Sequence, residues 1–275
     1  MPFLDPAEAV ERFLEPDSGL GVGGMQLSAA PMALVREVVR RRIPVGRLIT
    51  SPSASIQADL LIAAGLVREI VSPYVGFEYL GLAPGFRREV EGGRLRVLEI
   101  DEGSLTHALW AGSGGVPFVP VPPGLDLTDI PAVDPEMFRR VTDPFTGQER
   151  WAVRSLRPDT VFIACAVADE AANVAFDRFP YTDRIMALAA RRLVVQVEEV
   201  VPAGALADRA PGSTLPSFLI DAVVVAPGGC HPTGFPGRYE ADDEALGSYL
   251  RAARDPETFG RHLAEMVGED AGGGR

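Results

Sequence analysis

Apolar residues follow two rhythms along the chain. Short runs rich in Val, Ile and Leu, bounded by Gly or Pro, alternate with longer stretches in which apolar residues recur at helical spacing. Leu20 to Val22 predicts a buried strand ending in Gly23-Gly24. Pro31 to Arg42 predicts a helix with Met32, Leu34, Val35, Val38 and Val39 on its apolar side. Leu48 to Thr50 is the next strand, and Ser55 is placed to cap a helix from Ile56 to Ala64 that Gly65 stops. Further strands are expected at Val67 to Val71, Leu95 to Ile100, Val116 to Val119, Val161 to Val167, Leu193 to Val197 and Ala222 to Val225. Several lack polar alternation, as strands covered on both faces do. The expected class is α/β: an open, mainly parallel sheet with helices on both faces.

Two segments break the alternation. Pro120 to Pro135 holds five prolines in 16 residues and reads as a loop, suited to a substrate-side segment or an intersubunit contact. Asp242 to Met266 predicts two helices split at Asp255-Pro256. Residues 1–268 read as one domain and 269–275, with Gly272-Gly273-Gly274, as a disordered tail.

Charge narrows the range of partners. The 275 residues carry 26 basic against 38 acidic side chains, a net charge of −12, and the three consecutive arginines at Arg40 to Arg42 are too short a patch to offset that. No nucleic-acid partner is expected, because such binding rests on neutralising phosphates. The start from Met1 to Leu14 carries Asp5, Glu8 and Glu11, and no apolar run approaches the roughly 18 residues of a membrane span. A cytoplasmic protein without a membrane partner is expected. Every basic residue is Arg and none is Lys, which removes Schiff-base and P-loop lysine chemistry. Cys165 and Cys230 lack metal-ligand spacing, so neither a zinc site nor a disulfide framework is expected.

Three clusters could carry chemistry. Gly21-Val22-Gly23-Gly24 lies between a strand and a helix, where backbone amides of Gly23 and Gly24 could cradle a phosphate or a thioester oxyanion; its other reading is a tight turn. A dinucleotide fingerprint fails, because the sixth position is Gln26 and no ribose-binding carboxylate follows Thr50. Glu99, Asp101 and Glu102 close a predicted strand ahead of Gly103-Ser104 and an apolar helix. Strand alternation would put Glu99 and Asp101 on one face and Ile100 and Glu102 on the other. One of these carboxylates could serve in catalysis and Ser104 in binding, although Asp101 or Ser104 could simply cap the helix. Gly228-Gly229-Cys230-His231-Pro232-Thr233 follows the strand at Ala222 to Val225 and offers amides at Gly228 and Gly229, the His231 imidazole and the Thr233 hydroxyl. His231 has no second His or Cys in metal spacing, and no Gly-x-Ser-x-Gly elbow exists for a hydrolase triad.

An ordered set of segments resembles a known family. Val116-Pro117-Phe118-Val119-Pro120, Asp143-Pro144-Phe145-Thr146-Gly147, Pro158-Asp159, Ala168-Asp169-Glu170-Ala171-Ala172-Asn173-Val174, Val197-Glu198-Glu199 and Ala226-Pro227-Gly228-Gly229-Cys230-His231-Pro232-Thr233 resemble, in that order, the alpha (A) subunits of family I CoA-transferases of the glutaconate type. The likeness runs from about Gly19 to the helix around Asp255. It implies the CoA-transferase family I fold and a partner beta (B) subunit in an α2β2 complex. Coenzyme A would be a substrate rather than a cofactor. It further implies acyl transfer from an acyl-CoA to a carboxylic acid through a glutamate supplied by the beta subunit.

Asp101-Glu102-Gly103 also resembles the matching stretch of the alpha subunits of steroid-ring-cleaving CoA-thioester hydrolases, which share the fold. That likeness implies Glu102 as acid/base in a hydrolytic alternative. A non-catalytic acyl-CoA-binding subunit is a third reading. The chain departs from its relatives at Ala164, Cys165, Ala166 and Val167, where a histidine and an amide side chain are usual, and at Ala172, which stands where glycine is usual. Val121-Pro122-Pro123-Gly124 also lacks the usual arginine or threonine. These changes imply a substrate other than those of the two named groups.

Overall fold

The β-branched runs become strands enclosed on both sides, and the ten-residue strand Thr160–Asp169, buried at every position, is the axis of the sheet. The computed structural model describes residues 3–121, 124–177, 179–209 and 211–267. Pro122, Pro123 and the expected tail at 269–275 lie outside them. In chain order the elements are β1 (Phe3–Leu4), α1 (Pro6–Phe13), β2 (Gly19–Val22), α2 (Met32–Arg40), β3 (Val45–Thr50), α3 (Ile56–Ala63), β4 (Val67–Val71), α4 (Pro84–Glu91), β5 (Arg96–Leu98) and α5 (Glu102–Ser113). They continue with β6 (Phe118–Pro120), α6 (Ile130–Val133), β7 (Phe138–Thr142), β8 (Glu149–Arg154), β9 (Thr160–Asp169), β10 (Val174–Ala175), α7 (Asp183–Ala189), β11 (Arg192–Val201), β12 (Thr214–Leu215), β13 (Ala222–Val225), α8 (Asp243–Ala252) and α9 (Pro256–Val267).

The main sheet runs β1-β13-β11-β9-β2-β3-β4-β5, with every neighbouring pair parallel. Among the described residues only β10 and β12 join it antiparallel, at the carboxyl end of β9. Helices cover both faces, as expected. One core packs α1, α2, α3 and α8 through residues such as Val10, Met32, Leu60 and Tyr249. The other packs α5 and α7 through Leu105, Leu109 and Met186. The apolar departures Ala164, Cys165, Ala166 and Val167 are interior positions of β9, and Ala164, Ala166 and Val167 close a smaller core with Ala29, Cys230 and Phe235.

Four local expectations are corrected. The run at Val116 to Val119 does not feed the parallel sheet: β6 pairs with β8 in a separate three-stranded antiparallel sheet, β6-β8-β7. Its Phe118 is 46% exposed, so the run is half-buried rather than enclosed. The strand expected to reach Ile100 stops at Leu98, and alternation therefore ends before the acidic cluster. Pro120 to Pro135 is not wholly loop, since it contains the end of β6, a 3-10 turn at Leu125–Leu127 and α6. Ser55 occupies the N-cap position of α3 without capping it; its Oγ lies 2.5 Å from the Gln26 carbonyl instead. All seven residues from Ile56 to Ile62 are buried, so α3 is a core helix and its Asp59 must find partners inside.

Candidate active site at the carboxyl edge of the sheet

A parallel sheet delivers the ends of all its strands to one edge, where loops are free to carry function. Here β2 delivers Gly23 and Gly24, β3 delivers Thr50 and Ser51, β5 delivers Asp101 and Glu102, and β13 delivers the loop at Gly228 to Thr233.

The glycine turn after β2 is locked from within. Gly23 N donates to the Phe162 carbonyl at 2.9 Å and Gly24 N to Asp183 Oδ1 at 2.9 Å, while Ser51 Oγ donates to the Gly24 carbonyl. Gly24 has φ +88°, and a Cβ there would sit 2.7 Å from Ala30 Cα. Glycine is needed for conformation and close approach, and both amides are already used. Between this turn and β5, Thr50 Oγ1 donates toward Ser72 Oγ at 2.7 Å, and Ser72 Oγ reaches the Tyr74 carbonyl at 3.0 Å.

Asp101 is the N-cap of α5. Its Oδ1 accepts from Ser104 N at 3.0 Å, which leaves Glu102 as the first helical residue. Glu102 is exposed, and among the described residues its carboxylate has no hydrogen bond or ion pair. Ser104 is buried, and neither its Oγ nor Asp101 Oδ2 has a partner. One turn on, His107 Nδ1 donates to the Gly103 carbonyl at 2.7 Å.

The loop after β13 spends its polar groups on the fold. Gly228 N donates to Glu198 Oε2 at 2.7 Å, Gly229 N to the Ala226 carbonyl at 2.9 Å, and Thr233 Oγ1 to the Cys230 carbonyl at 2.7 Å. Tyr239 Oη donates to Glu198 Oε1 at 2.6 Å, and burial, together with Cys230 and that carboxylate, drives its phenol far above the ordinary range. Thr233 Oγ1 also accepts from Ala30 N at 3.3 Å, and the His231 carbonyl accepts from Arg36 at 2.7 Å. The His231 ring is half exposed and bonds Asp242 Oδ2 at 2.9 Å, while Asp242 Oδ1 caps α8. The Ala245 amide and then the His231 ring hold the Asp242 carboxyl below the usual range.

The structure therefore divides the expected set. Glu102 and Ser104 share the first turn of α5, which packs beside α7. The α7 residue Asp183 holds Gly24, and Gly24 meets Thr233 through Ala30. His231 instead turns to the opposite side of the sheet, against α8. Thr182, at the head of α7, is buried beside this group with its hydroxyl unpartnered, and sequence reasoning missed it. The signal available was its place ahead of the short apolar stretch Ile185 to Ala190.

The sequence model of the coenzyme A transferase family matches residues 3–226. The alpha (A) subunit of a 3-oxoadipate CoA-transferase from Pseudomonas knackmussii is 34% identical over 94% of this chain and 91% of its own length. The IpdA subunit of a cholesterol ring-cleaving hydrolase from Mycobacterium tuberculosis is 30% identical over 85% of this chain and 82% of its own. The solved structure of a cysteine-to-serine variant of the decarboxylase AibA/AibB superposes with a TM-score of 0.84 at 32% identity, covering 96% of this chain and 98% of that one. The chain spans 59% of the length of an uncharacterised relative from Archaeoglobus fulgidus that is 30% identical over 96% of this chain. Among the described residues no helix is long and apolar enough to cross a membrane.

Proposed function

The chain belongs to the coenzyme A transferase family, and from that premise we propose that it is the alpha subunit of a cytoplasmic two-subunit CoA-transferase, assembled in an α2β2 complex with its beta subunit. One observation carries the division of labour. His107 bonds the Gly103 carbonyl, His231 bonds Asp242 and His262 packs by Tyr249; among the described residues no histidine is hydrogen-bonded to a Ser, Thr or Cys. With no lysine in the chain either, Ser, Thr, Cys and Lys nucleophiles of this chain fall away, and the glutamate nucleophile is assigned to the beta subunit.

The exchange then balances without water or redox change. A partner glutamate oxygen bonds to the acyl carbonyl carbon as the C–S bond breaks, giving an anhydride and the CoA thiolate. The thiolate attacks the glutamyl carbonyl, releasing the first acid and leaving a glutamyl thioester. An acceptor carboxylate attacks that thioester and expels the thiolate, which takes the acceptor acyl group and frees the glutamate. Each step keeps the acyl group activated only where water is excluded. This chain supplies one wall of that site: the glycine turn at Gly23 and Gly24 shapes the rim, while Glu102 and Ser104 face substrate from α5. Arginines at the subunit interface hold the CoA phosphates.

The unpartnered, exposed Glu102 favours one second reading, a CoA-thioester hydrolase or C–C-cleaving enzyme. Glu102 would take a proton from water as the water oxygen bonds to the carbonyl carbon, and return it to the leaving group. Both readings require the partner, so the isolated chain should be inactive.

The test is mass spectrometry of products after the complex meets a panel of acyl-CoAs in ¹⁸O-labelled water, with and without an acceptor acid. New acyl-CoA that forms only with acceptor supports transfer. Free CoA released with a labelled acid, or a ring-opened thioester carrying the label, supports hydrolysis and overturns the transferase reading.

A further inference from the structure

Buried polar side-chain atoms are nearly always paired, because desolvating a donor or acceptor without replacing its water contacts is costly. Among the described residues four such atoms have no partner: Asp101 Oδ2, Ser104 Oγ, Thr182 Oγ1 and Arg184 Nε. All four belong to the beginnings of α5 and α7, two helices that share one core.

Helical geometry brings three of them to one place. Both helices start at the carboxyl edge of the sheet and run back along the same face: Asp183 holds Gly24 at that edge, and Ala189 lies just ahead of the start of β11. At their far ends, a Cβ on Gly112 would lie 3.5 Å from Ala189 Cβ, so α5 and α7 touch there. Seven residues are about two turns and 10 Å of rise. Counting back seven from Ala189 reaches Thr182, and counting back seven from Gly112 reaches Leu105, next to Ser104. Thr182 thus lies on the α5-facing side of α7, level with the first turn of α5, the turn that carries Ser104 and is capped by Asp101. Arg184, two positions further along, faces away from this seam. Neither hydroxyl serves its own helix: Thr182 occupies the N-cap position of α7 without capping it, and the N-cap bond of α5 comes from Asp101 Oδ1.

The three atoms define their ligand. A carboxylate oxygen can only accept a hydrogen bond, whereas each hydroxyl can both donate and accept. An anion would be repelled by Asp101, and among the described residues no group of three His, Cys, Asp or Glu is placed to hold a metal cation. A neutral group with one hydrogen to give and lone pairs to share satisfies all three. We propose that Asp101 Oδ2, Ser104 Oγ and Thr182 Oγ1 form a seat for an O–H group beside Glu102, either a water molecule or a hydroxyl on the acyl chain. Its use in turnover rests on the acyl-CoA reading above; the seat itself does not.

The test uses the complex with its partner and two variants, Ser104→Ala and Thr182→Val, which remove a hydroxyl and little else. Thermal melting comes first. Hydroxyls that bond only a water or a substrate lose no protein partner when removed, so both variants are expected to melt within a few degrees of the unsubstituted complex. A clear drop in both would show that the hydroxyls are bonded within the fold, and would overturn the proposal. Turnover and binding of a plain acyl-CoA and its 3-hydroxy counterpart follow. A tenfold or greater loss confined to the hydroxyacyl-CoA places the acyl hydroxyl in the seat. An equal tenfold loss of kcat on both thioesters, with KM held and less label taken from ¹⁸O-water, places water there. Values within twofold throughout would overturn the proposal. An unsubstituted complex that binds no acyl-CoA would overturn the acyl-CoA reading alone, and the melting comparison would still decide the seat.

Discussion

Tyr249 Oη donates to Asp59 Oδ2 at 2.8 Å across 190 positions of sequence. The same carboxylate accepts from Phe86 N at 2.6 Å and Gly85 N at 3.3 Å, so one buried aspartate ties α3 to α4 and α8. Burial pushes the Asp59 carboxyl up, and the Phe86 amide, the Tyr249 hydroxyl and the Gly85 amide pull against it without reversing the shift. A carboxyl with a raised folded pKa binds its proton more readily in the folded state, so stability falls as pH rises from about 4 through the folded pKa. Asp59→Asn keeps an acceptor and removes the titration. Its stability relative to the native chain should rise with pH across that window and then level off, as read by melting temperature against pH. A constant difference would refute the assignment. Tyr249→Phe should lose about 1.5–3 kcal/mol, the worth of a hydrogen bond to a charged group.

Gly24→Ala should destabilise the fold by about 1–3 kcal/mol or more, because the new Cβ meets the Ala30 backbone at a left-handed position. Chemical denaturation measures it. A neutral substitution would mean that the turn is not held as described.

Ala172→Gly should act in the opposite direction. Ala172 has φ +63°, a conformation that disfavours any side chain, in a turn organised by Asp169, whose Oδ1 accepts from Asn173 N at 2.9 Å. Relief of the left-handed strain should outweigh the added flexibility of glycine and stabilise by about 0.5–1 kcal/mol. The midpoint of urea unfolding should rise; a fall would show that the turn gains from the alanine.

Glu102→Gln separates the two enzymatic readings by size of effect. As general acid/base, Glu102 should be worth about 10²–10⁴ in kcat. Under the transferase reading its loss should cost no more than roughly tenfold, since the acid/base step is absent. The kcat of the complex on a single acyl-CoA is the readout, and acyl-CoA binding should persist in either case.

His231→Ala should leave turnover within about twofold and the melting temperature nearly unchanged, because the ring serves an exposed pair with Asp242. A tenfold fall in kcat/KM would place the imidazole against substrate.

Legibility in the sequence tracked burial. Ala222 to Val225 coincides with β13 because its buried positions are written as an unbroken apolar run, whereas Val67 to Val71 coincides with β4 although Arg68 and Glu69 interrupt its apolar residues. Asp255-Pro256 marked the break between α8 and α9, where Asp255 Oδ2 accepts from Thr258 N at 2.9 Å. The hairpin of β7 and β8 was not legible, since Phe-Arg-Arg-Val-Thr is too polar to announce a strand. Its turn was visible in Asp143-Pro144-Phe145-Thr146-Gly147, where Asp143 Oδ1 accepts from Phe145 N at 2.8 Å and Gly147 has φ +72°. At the site, Glu102 and Ser104 were legible because a strand end ran into a helix. Thr182 and Asp59 were not, because their meaning depends on what packs against them from distant parts of the chain.

The order of strands also sets a timetable. Gly19, at the start of β2, donates to Asp159 Oδ2 at 2.8 Å across 140 positions, and β2 has no partner on that side until β9 arrives. On a ribosome working at 5–20 residues per second, that is a wait of roughly 7–28 s with a naked parallel edge. Until then β2 is the edge strand of any sheet that β2 to β5 form. Protection of that edge, more than the speed of any later packing step, should govern how much newly made protein reaches the assembled state.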